Sequence, residues 1–100
     1  MAAFRLAPAA EKHIGDIVEF IATDNENAAV RVRDALYSAF DLLASRPGVG
    51  HLREDLTERP LRFWCVYSYL IVYDPASRPL TIVAVLHGAR DLEQILKDVD

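Results

Sequence analysis

The sequence predicts an α+β protein in which an N-terminal strand and an antiparallel helical hairpin pack on a curved, mainly antiparallel sheet of three to four strands. Two patterns predict this fold class. Apolar residues recur at helical spacing through the first half of the chain, and three short apolar runs separated by turn residues fill the second half. The expected order is β-α-α-β-β-β-α, ending in a short C-terminal helix. One hundred residues suit a single domain over 1–100.

A strand and a helix open the chain. The alternating residues Phe4–Leu6 predict the strand. Pro8 suits the first turn of a helix because its missing N–H would have no partner there, and Glu11 places negative charge near the helix N-terminus. The helix is expected to end near Thr23, and His13 beside its apolar stripe is expected to be packed or solvated rather than functional. The stripe consists of Ile14, Ile17, Val18 and Ile21.

A second helix is predicted from about Glu26 to Ala44, with Asn25 as its N-cap. The polar break at 24–27 is so short that the two helices must fold back on each other as a hairpin. Arg46–Gly50 ends the second helix, because the residue before a proline avoids helical dihedrals and glycine suits the C-terminal side. The apolar stripe of this helix consists of Ala29, Val32, Leu36, Phe40 and Leu43.

Three strands follow a polar segment, 51–59, for which an irregular loop or one helical turn is expected. The strands are predicted at Leu61–Val66, Tyr69–Tyr73 and Leu80–Leu86. The links between them are short and rich in turn residues, so the strands should form an antiparallel meander. Cys65 lies in the first of these runs, and a thiol packed in the core is expected there.

The last strand and the residues after it form the candidate site. Seven residues without charge, rich in β-branched side chains, indicate that Leu80–Leu86 is covered on both faces. His87 and Arg90 then come close together at a chain reversal, where Gly88 frees the backbone and Asp91 can cap a helix. Imidazole and guanidinium together could bind a phosphate or an acidic partner surface.

Further basic residues could belong to this site. Its members could also have purely structural roles. Arg53 and Arg62 are the candidate neighbours. His87 could instead be a strand-end residue whose ring bonds a nearby carbonyl, and Arg90 could form an ion pair with a neighbouring carboxylate. Such an exposed pair would stabilise the fold by only about 0–1 kcal/mol. The possible acidic partners of Arg90 are Asp91, Glu93 and Glu54.

Composition and spacing exclude several classes of protein. The net charge of −4 argues against a large phosphate footprint and against specific DNA binding by this chain. The three histidines lie far apart and the single cysteine adds no paired ligand, so we expect no metal and no cofactor. No apolar run approaches the roughly 20 residues that span a bilayer, and a lone cysteine suits the reducing cytoplasm.

Six parts of the chain match the pattern of one toxin family in register. They are Leu6–Glu11, Ile21–Asn25 with Ala28–Ala29, Leu43–Gly50, Leu61–Phe63, Tyr69–Tyr73 and Val85–Asp91. The chain therefore resembles the RelE/ParE toxin superfamily, and within it the ParE branch, the toxins of bacterial type II toxin–antitoxin modules. The resemblance covers nearly the whole chain and keeps the order of elements given above.

The resemblance implies a fold, a partner and two alternative activities. The fold is a helical hairpin on a curved sheet. The partner is a cognate antitoxin encoded nearby, typically a ParD-like ribbon-helix-helix protein whose tail wraps the toxin, although no residue can be assigned to it from the sequence. ParE-like members poison DNA gyrase by protein–protein binding and would need no catalytic residue. RelE-like members cut messenger RNA on the ribosome, for which His87, Arg90 and Arg62 would be the catalytic candidates.

The residues favour the gyrase branch. Cleaving RNA through its 2′-hydroxyl needs a base, an acid and cations around the phosphate. This chain has no lysine between Lys12 and Lys97 and no tyrosine after His87. Ala84 also stands where many relatives carry an arginine, and Cys65 where many have proline. A binding module without toxicity is the third reading, and normal growth on induction without antitoxin would support it.

Overall fold

The computed structural model describes residues 3–87, which form a helical hairpin packed on one face of a five-stranded sheet. The C-terminal helix expected from Leu92, Ile95, Leu96 and Val99 lies outside the described residues. The elements are β1 (Phe4–Leu6), α1 (Pro8–Asp24), α2 (Glu26–Ser45), a 3₁₀ turn (Pro47–Val49), β2 (His51–Leu52), β3 (Arg62–Val66), β4 (Tyr69–Asp74) and β5 (Leu80–His87).

The helices begin and end where their sequence signals place them. Pro8 stands in the first turn of α1, and Asn25 ends this helix by donating its backbone N–H to the Ile21 carbonyl at 2.8 Å. Asn25 also caps α2, because its Oδ1 accepts from the backbone N–H of Ala28 at 3.0 Å. A single residue therefore separates the two helices, and the predicted hairpin and N-cap are confirmed.

The sheet is mixed and contains one strand more than expected. Its order is β1-β5-β4-β3-β2, with β1 parallel to β5 and all other pairs antiparallel. The extra strand is β2, whose residues His51 and Leu52 pair with Phe63 and Arg62. Two residues are too few to show alternation, so the loop or helical turn expected over 51–59 is wrong for these two positions. It is confirmed at 53–57, where the backbone N–H groups of Leu56 and Thr57 donate to the Arg53 carbonyl at 2.9 and 3.1 Å.

The strand β5 lies in the middle of the fold, as its uncharged sequence predicted. On one face it packs against α1 and α2, and on the other face the segment 53–61 covers it. The first cluster contains Ile14, Leu36, Phe40, Leu43, Ile71, Tyr73, Leu80, Ile82 and Val85. The second contains Leu56, Leu61, Phe63, Leu70, Val72, Ala84 and Leu86. The double burial of the strand is confirmed.

A β-bulge at Val83 interrupts the pairing of β4 with β5. Val72 pairs with Ala84 and Tyr73 with Ile82, so Val83 is an extra residue. Because the bulge shifts the alternation by one residue, Ile82 and Val85 both reach the helical face although they are three positions apart. This shift determines which side chains at the end of β5 face the helices.

Cys65 is exposed, which corrects the core position expected for it. It pairs with Leu70 on the sheet face opposite the helices. On that face Leu56 and Leu61 cover the neighbouring Phe63, but this cover does not enclose Cys65. The apolar run around Cys65 therefore reflects a strand that is only partly buried.

Candidate functional site

His87 ends β5 beside a cleft between α1 and the sheet. It pairs with Tyr69 of β4, and the two rings meet edge to face with centroids 5.8 Å apart. The cleft has a volume of about 500 Å³ and combines polar groups with an apolar wall. Its lining residues are His13, Asp16, Ile17, Phe20, Ile21, Tyr69, Val85 and His87.

The cleft exists because β1 is short. Its three residues pair only with Leu80–Ile82, and the backbone N–H of Ala7 bonds the Ile82 carbonyl at 2.9 Å as the chain turns into α1. Further along β5, the N–H of Val85 donates to Nδ1 of His13 at 3.3 Å. The imidazole thus takes the place of a strand neighbour, a role that the position of His13 beside a helical stripe did not reveal.

The register places Arg62 and His87 at opposite ends of the sheet. Arg62 pairs with Tyr73, whereas His87 pairs with Tyr69, four residues away on β4. Four residues span about 13 Å along a strand. In addition, β3 and β5 lie two strand spacings, about 10 Å, apart across the sheet. Arg62 and His87 therefore cannot hold one phosphate between them without a large rearrangement. Arg90, the third member of the predicted site, lies outside the described residues.

Arg53 and Arg62 are each engaged by neighbouring groups. Arg53 donates from Nε and Nη2 to the two carboxylate oxygens of Asp55, at 3.0 and 2.9 Å. This hydrogen bond raises the pKa of Arg53 and lowers the pKa of Asp55, so both groups stay charged together. Arg62 donates from Nη1 to the Gly50 carbonyl at 2.7 Å. Both guanidinium groups therefore stabilise the local conformation of the chain.

Tyr73 links the turn before β2 to the sheet through two hydrogen bonds. Its hydroxyl donates to the Pro47 carbonyl at 2.7 Å and accepts from the backbone N–H of Gly50 at 2.9 Å. The ring is buried in the core. This contact, together with the bond from Arg62 to Gly50, fixes the 3₁₀ turn and β2. The sequence placed Tyr73 at the end of a predicted strand but gave no sign of the loop that its hydroxyl holds.

The pKa of Tyr73 gives a prediction for alkaline stability. Burial raises this pKa, while the hydrogen bond from Gly50 and the charge of Arg62 oppose the rise. The folded protein therefore holds the phenolic proton more tightly than the unfolded chain does. The resulting stability is complete below the unfolded pKa of about 10 and is lost as the pH rises through the folded pKa. We expect the free energy of unfolding in urea to fall more steeply above about pH 10 in the wild type than in Tyr73→Phe. Equal slopes would contradict this assignment.

Two further features of residues 3–87 bear on function. No group of three or more His, Cys, Asp or Glu side chains is placed to hold a metal ion within this part of the chain. None of its helices is long and apolar enough to cross a membrane. The cleft itself offers a mixed polar and apolar surface formed by α1 and the ends of two strands.

Comparisons with known proteins identify a family. The family model described as the ParE toxin of the type II toxin–antitoxin system parDE matches residues 4–92 of this chain. Among solved structures, a chain of the chromosomal ParDE toxin–antitoxin system from P. aeruginosa is similar, with a TM-score of 0.68 and 12% identity. The match covers 87% of this chain and 96% of that chain. At this identity the likeness shows the fold alone. The curated proteins contain no match.

Proposed function

The chain belongs to the ParE toxin family of type II toxin–antitoxin systems, and we propose that it acts as a toxin by binding DNA gyrase in the cytoplasm. A cognate antitoxin, a ParD-like ribbon-helix-helix protein encoded nearby, neutralises it. The solved relative is described as part of a ParDE system, which supports a partner of this kind. Inhibition by binding requires a complementary protein surface and no catalytic group.

The separation of Arg62 from His87 favours protein binding over RNA cleavage. A ribonuclease needs an acid–base group and cations around one phosphate. Here the described candidates lie at opposite ends of the sheet, and Asp55 neutralises the charge of Arg53. The net charge of −4 also opposes docking into ribosomal RNA. A protein target imposes none of these requirements.

Induced expression without the antitoxin tests this proposal in cells. We expect growth to stop, a DNA-damage reporter to rise, and incorporation of labelled amino acids to continue at first. Coexpression of the antitoxin should restore growth. The variant His87→Ala should remain toxic, because no step depends on an imidazole proton.

Two results would reject the proposal. Immediate arrest of translation that disappears in His87→Ala would indicate a ribosome-dependent endoribonuclease. Normal growth at confirmed protein levels would indicate a binding module without toxicity. Immunoblots for the wild type and His87→Ala provide the control for equal expression.

A further inference from the structure

The turn that joins β3 to β4 holds a bulky residue in an unusual backbone conformation. Val66 pairs with Tyr69, so the turn consists of Tyr67 and Ser68 alone. Tyr67 has a φ of 54°, in the left-handed region that glycine and asparagine adopt more easily. The turn is therefore less stable with tyrosine than with either of these residues, and local folding does not explain the choice.

Tyr67 also contributes little to the packing of the fold. Its side chain is 70% exposed, the largest fraction among the large hydrophobic side chains of residues 3–87. It belongs to neither of the two core clusters. Backbone strain that packing does not explain is typical of functional positions. Tyrosine is also one of the residues that most often dominate the energy of protein–protein binding.

The hairpin around Tyr67 is uncharged where it faces solvent. No charged residue lies between Arg62 and Asp74, although 26% of the chain is charged. Burial explains this for most of β4, but Cys65, Tyr67 and Ser68 are exposed. The centre of a protein interface is depleted of charge and rich in aromatic residues, unlike an ordinary solvated surface. We call these three exposed residues the β-hairpin surface.

The strand that leads to this surface has an open edge. The pairing of β2 with β3 ends at Phe63, so Trp64–Val66 have no strand neighbour on that side within residues 3–87. Exposed edges are usually protected by lysine, proline or a bulge. None of these occurs at 64–66. The backbone beside the β-hairpin surface is therefore available to a partner.

The lack of charge fits a protein target that holds DNA. A chain with a net charge of −4 is repelled by a polyanion, so the target is approached most easily through an uncharged part of its surface. Asp74 lies at the far end of β4, five residues or about 17 Å from Tyr69. The absence of Lys and Arg from 63–73 argues against binding to the DNA itself.

We propose that this chain binds DNA gyrase through the β-hairpin surface, with the ring of Tyr67 as the central contact. This inference rests on the proposed gyrase-binding function and adds the surface that performs it. The complementary site on gyrase is an uncharged apolar pocket, because a charge buried against this surface would have no partner.

The main test compares inhibition of purified DNA gyrase by the full-length chain and its variants. Tyr67→Asn removes the ring but keeps a residue that adopts positive φ easily, and should raise the concentration for half-inhibition of supercoiling about tenfold or more. Tyr67→Phe keeps the ring and should stay within about threefold of the wild type. Unchanged inhibition by Tyr67→Asn would overturn the inference.

The matched control is Val30→Gln, which alters a side chain 48% exposed on α2. It should inhibit gyrase within about threefold of the wild type, because Val30 lies outside the proposed surface. A loss as large as that of Tyr67→Asn would overturn the inference, since any exposed apolar side chain would then have the same effect.

Thermal melts of the same variants separate a binding role from a structural one. Because asparagine relieves the strain of the positive φ, Tyr67→Asn should melt at the temperature of the wild type or above it. Lost inhibition with an unchanged or raised melting temperature supports binding through the ring. Lost inhibition that merely follows a lower melting temperature would show a structural role and overturn the inference.

The single cysteine provides a test that needs no substitution. Cys65 is exposed, two positions or about 7 Å before Tyr67 on the strand that leads into the turn. A maleimide should modify this thiol in the free chain, and mass spectrometry of the chain measures the rate. Saturating gyrase should slow the modification about fivefold or more, because contacts around a central residue exclude solvent. An unchanged rate would overturn the inference.

Other occupants give distinct results. A second copy of this chain would appear as a dimer by light scattering that Tyr67→Asn dissociates, and would overturn the inference. Weaker antitoxin binding by Tyr67→Asn with undiminished inhibition of gyrase would also overturn it. The proposed function fails separately, when the wild type neither inhibits gyrase nor is protected by it at Cys65. Wild-type inhibition that leaves Cys65 fully reactive rejects only the surface.

Discussion

Replacing Gly50 with alanine is expected to lower the free energy of unfolding by about 3 kcal/mol. A Cβ atom at this position would lie 2.8 Å from Cε1 and 2.9 Å from Cζ of Tyr73, and closer still to the phenolic oxygen. The ring is fully buried between strands and helices and has little room to move. Relief of the clash would require loss of the hydrogen bonds that join Tyr73 to Pro47 and Gly50.

Urea unfolding followed by circular dichroism measures this effect, and Gly48→Ala is the matched control. Gly48 lies two residues away in the same turn, and a Cβ there would meet no atom within 4 Å. We expect its free energy of unfolding to change by about 0.5 kcal/mol or less. Equal losses in the two alanine variants would show that contact with Tyr73 does not determine the effect.

Combining Gly50→Ala with Tyr73→Phe separates the clash from the lost hydrogen bonds. Removal of the hydroxyl eliminates the atom that the new Cβ meets most closely. The double variant should therefore be destabilised by clearly less than the sum of the two single changes. Additive losses would contradict the close approach between these two residues.

Replacing Phe40 with alanine is expected to cost about 3–5 kcal/mol of stability. Phe40 lies on the inner face of α2 and is completely buried. Its ring meets Phe4 of β1 and Tyr37 of α2 edge to face, each with centroids 5.3 Å apart. The substitution therefore opens a cavity where the second helix meets the first strand.

The matched comparison for Phe40→Ala is Tyr37→Ala, one turn earlier on the same helix. Tyr37 is among the exposed large side chains, so its removal should cost about 1 kcal/mol. Urea unfolding of both variants gives the two values. If Phe40→Ala lost no more stability than Tyr37→Ala, the central place of Phe40 in the core would be wrong.

Local signals in the sequence predicted the framework of the fold. Asn25 was identified as a cap because its side chain can accept a backbone hydrogen bond, and it does so with Ala28. The uncharged run Leu80–Leu86 predicted burial on both faces, and residues packed above and below it confirm this. Both signals depend only on neighbouring residues, which a single sequence displays directly.

Features that depend on register could not be read in the same way. Arg62 and His87 both lie at strand ends, but the pairing of β3, β4 and β5 places those ends far apart. His13 bonds a strand 72 residues away in sequence, and no local pattern marks that contact. The bulge at Val83 likewise lies within an uninterrupted apolar run, so the sequence gives no sign of it. The members of the candidate site were visible, but their grouping depended on the folded sheet.

A supercoiling assay with purified DNA gyrase tests whether this chain acts by binding a protein and not by cutting RNA. Relaxed plasmid, ATP and gyrase are incubated with the chain, with and without its antitoxin, and ribosomes programmed with messenger RNA are treated in parallel. We expect inhibited supercoiling and accumulated gyrase–DNA cleavage complexes, both reversed by antitoxin, with intact messenger RNA. Unimpaired supercoiling together with messenger RNA cut on the ribosome would contradict it.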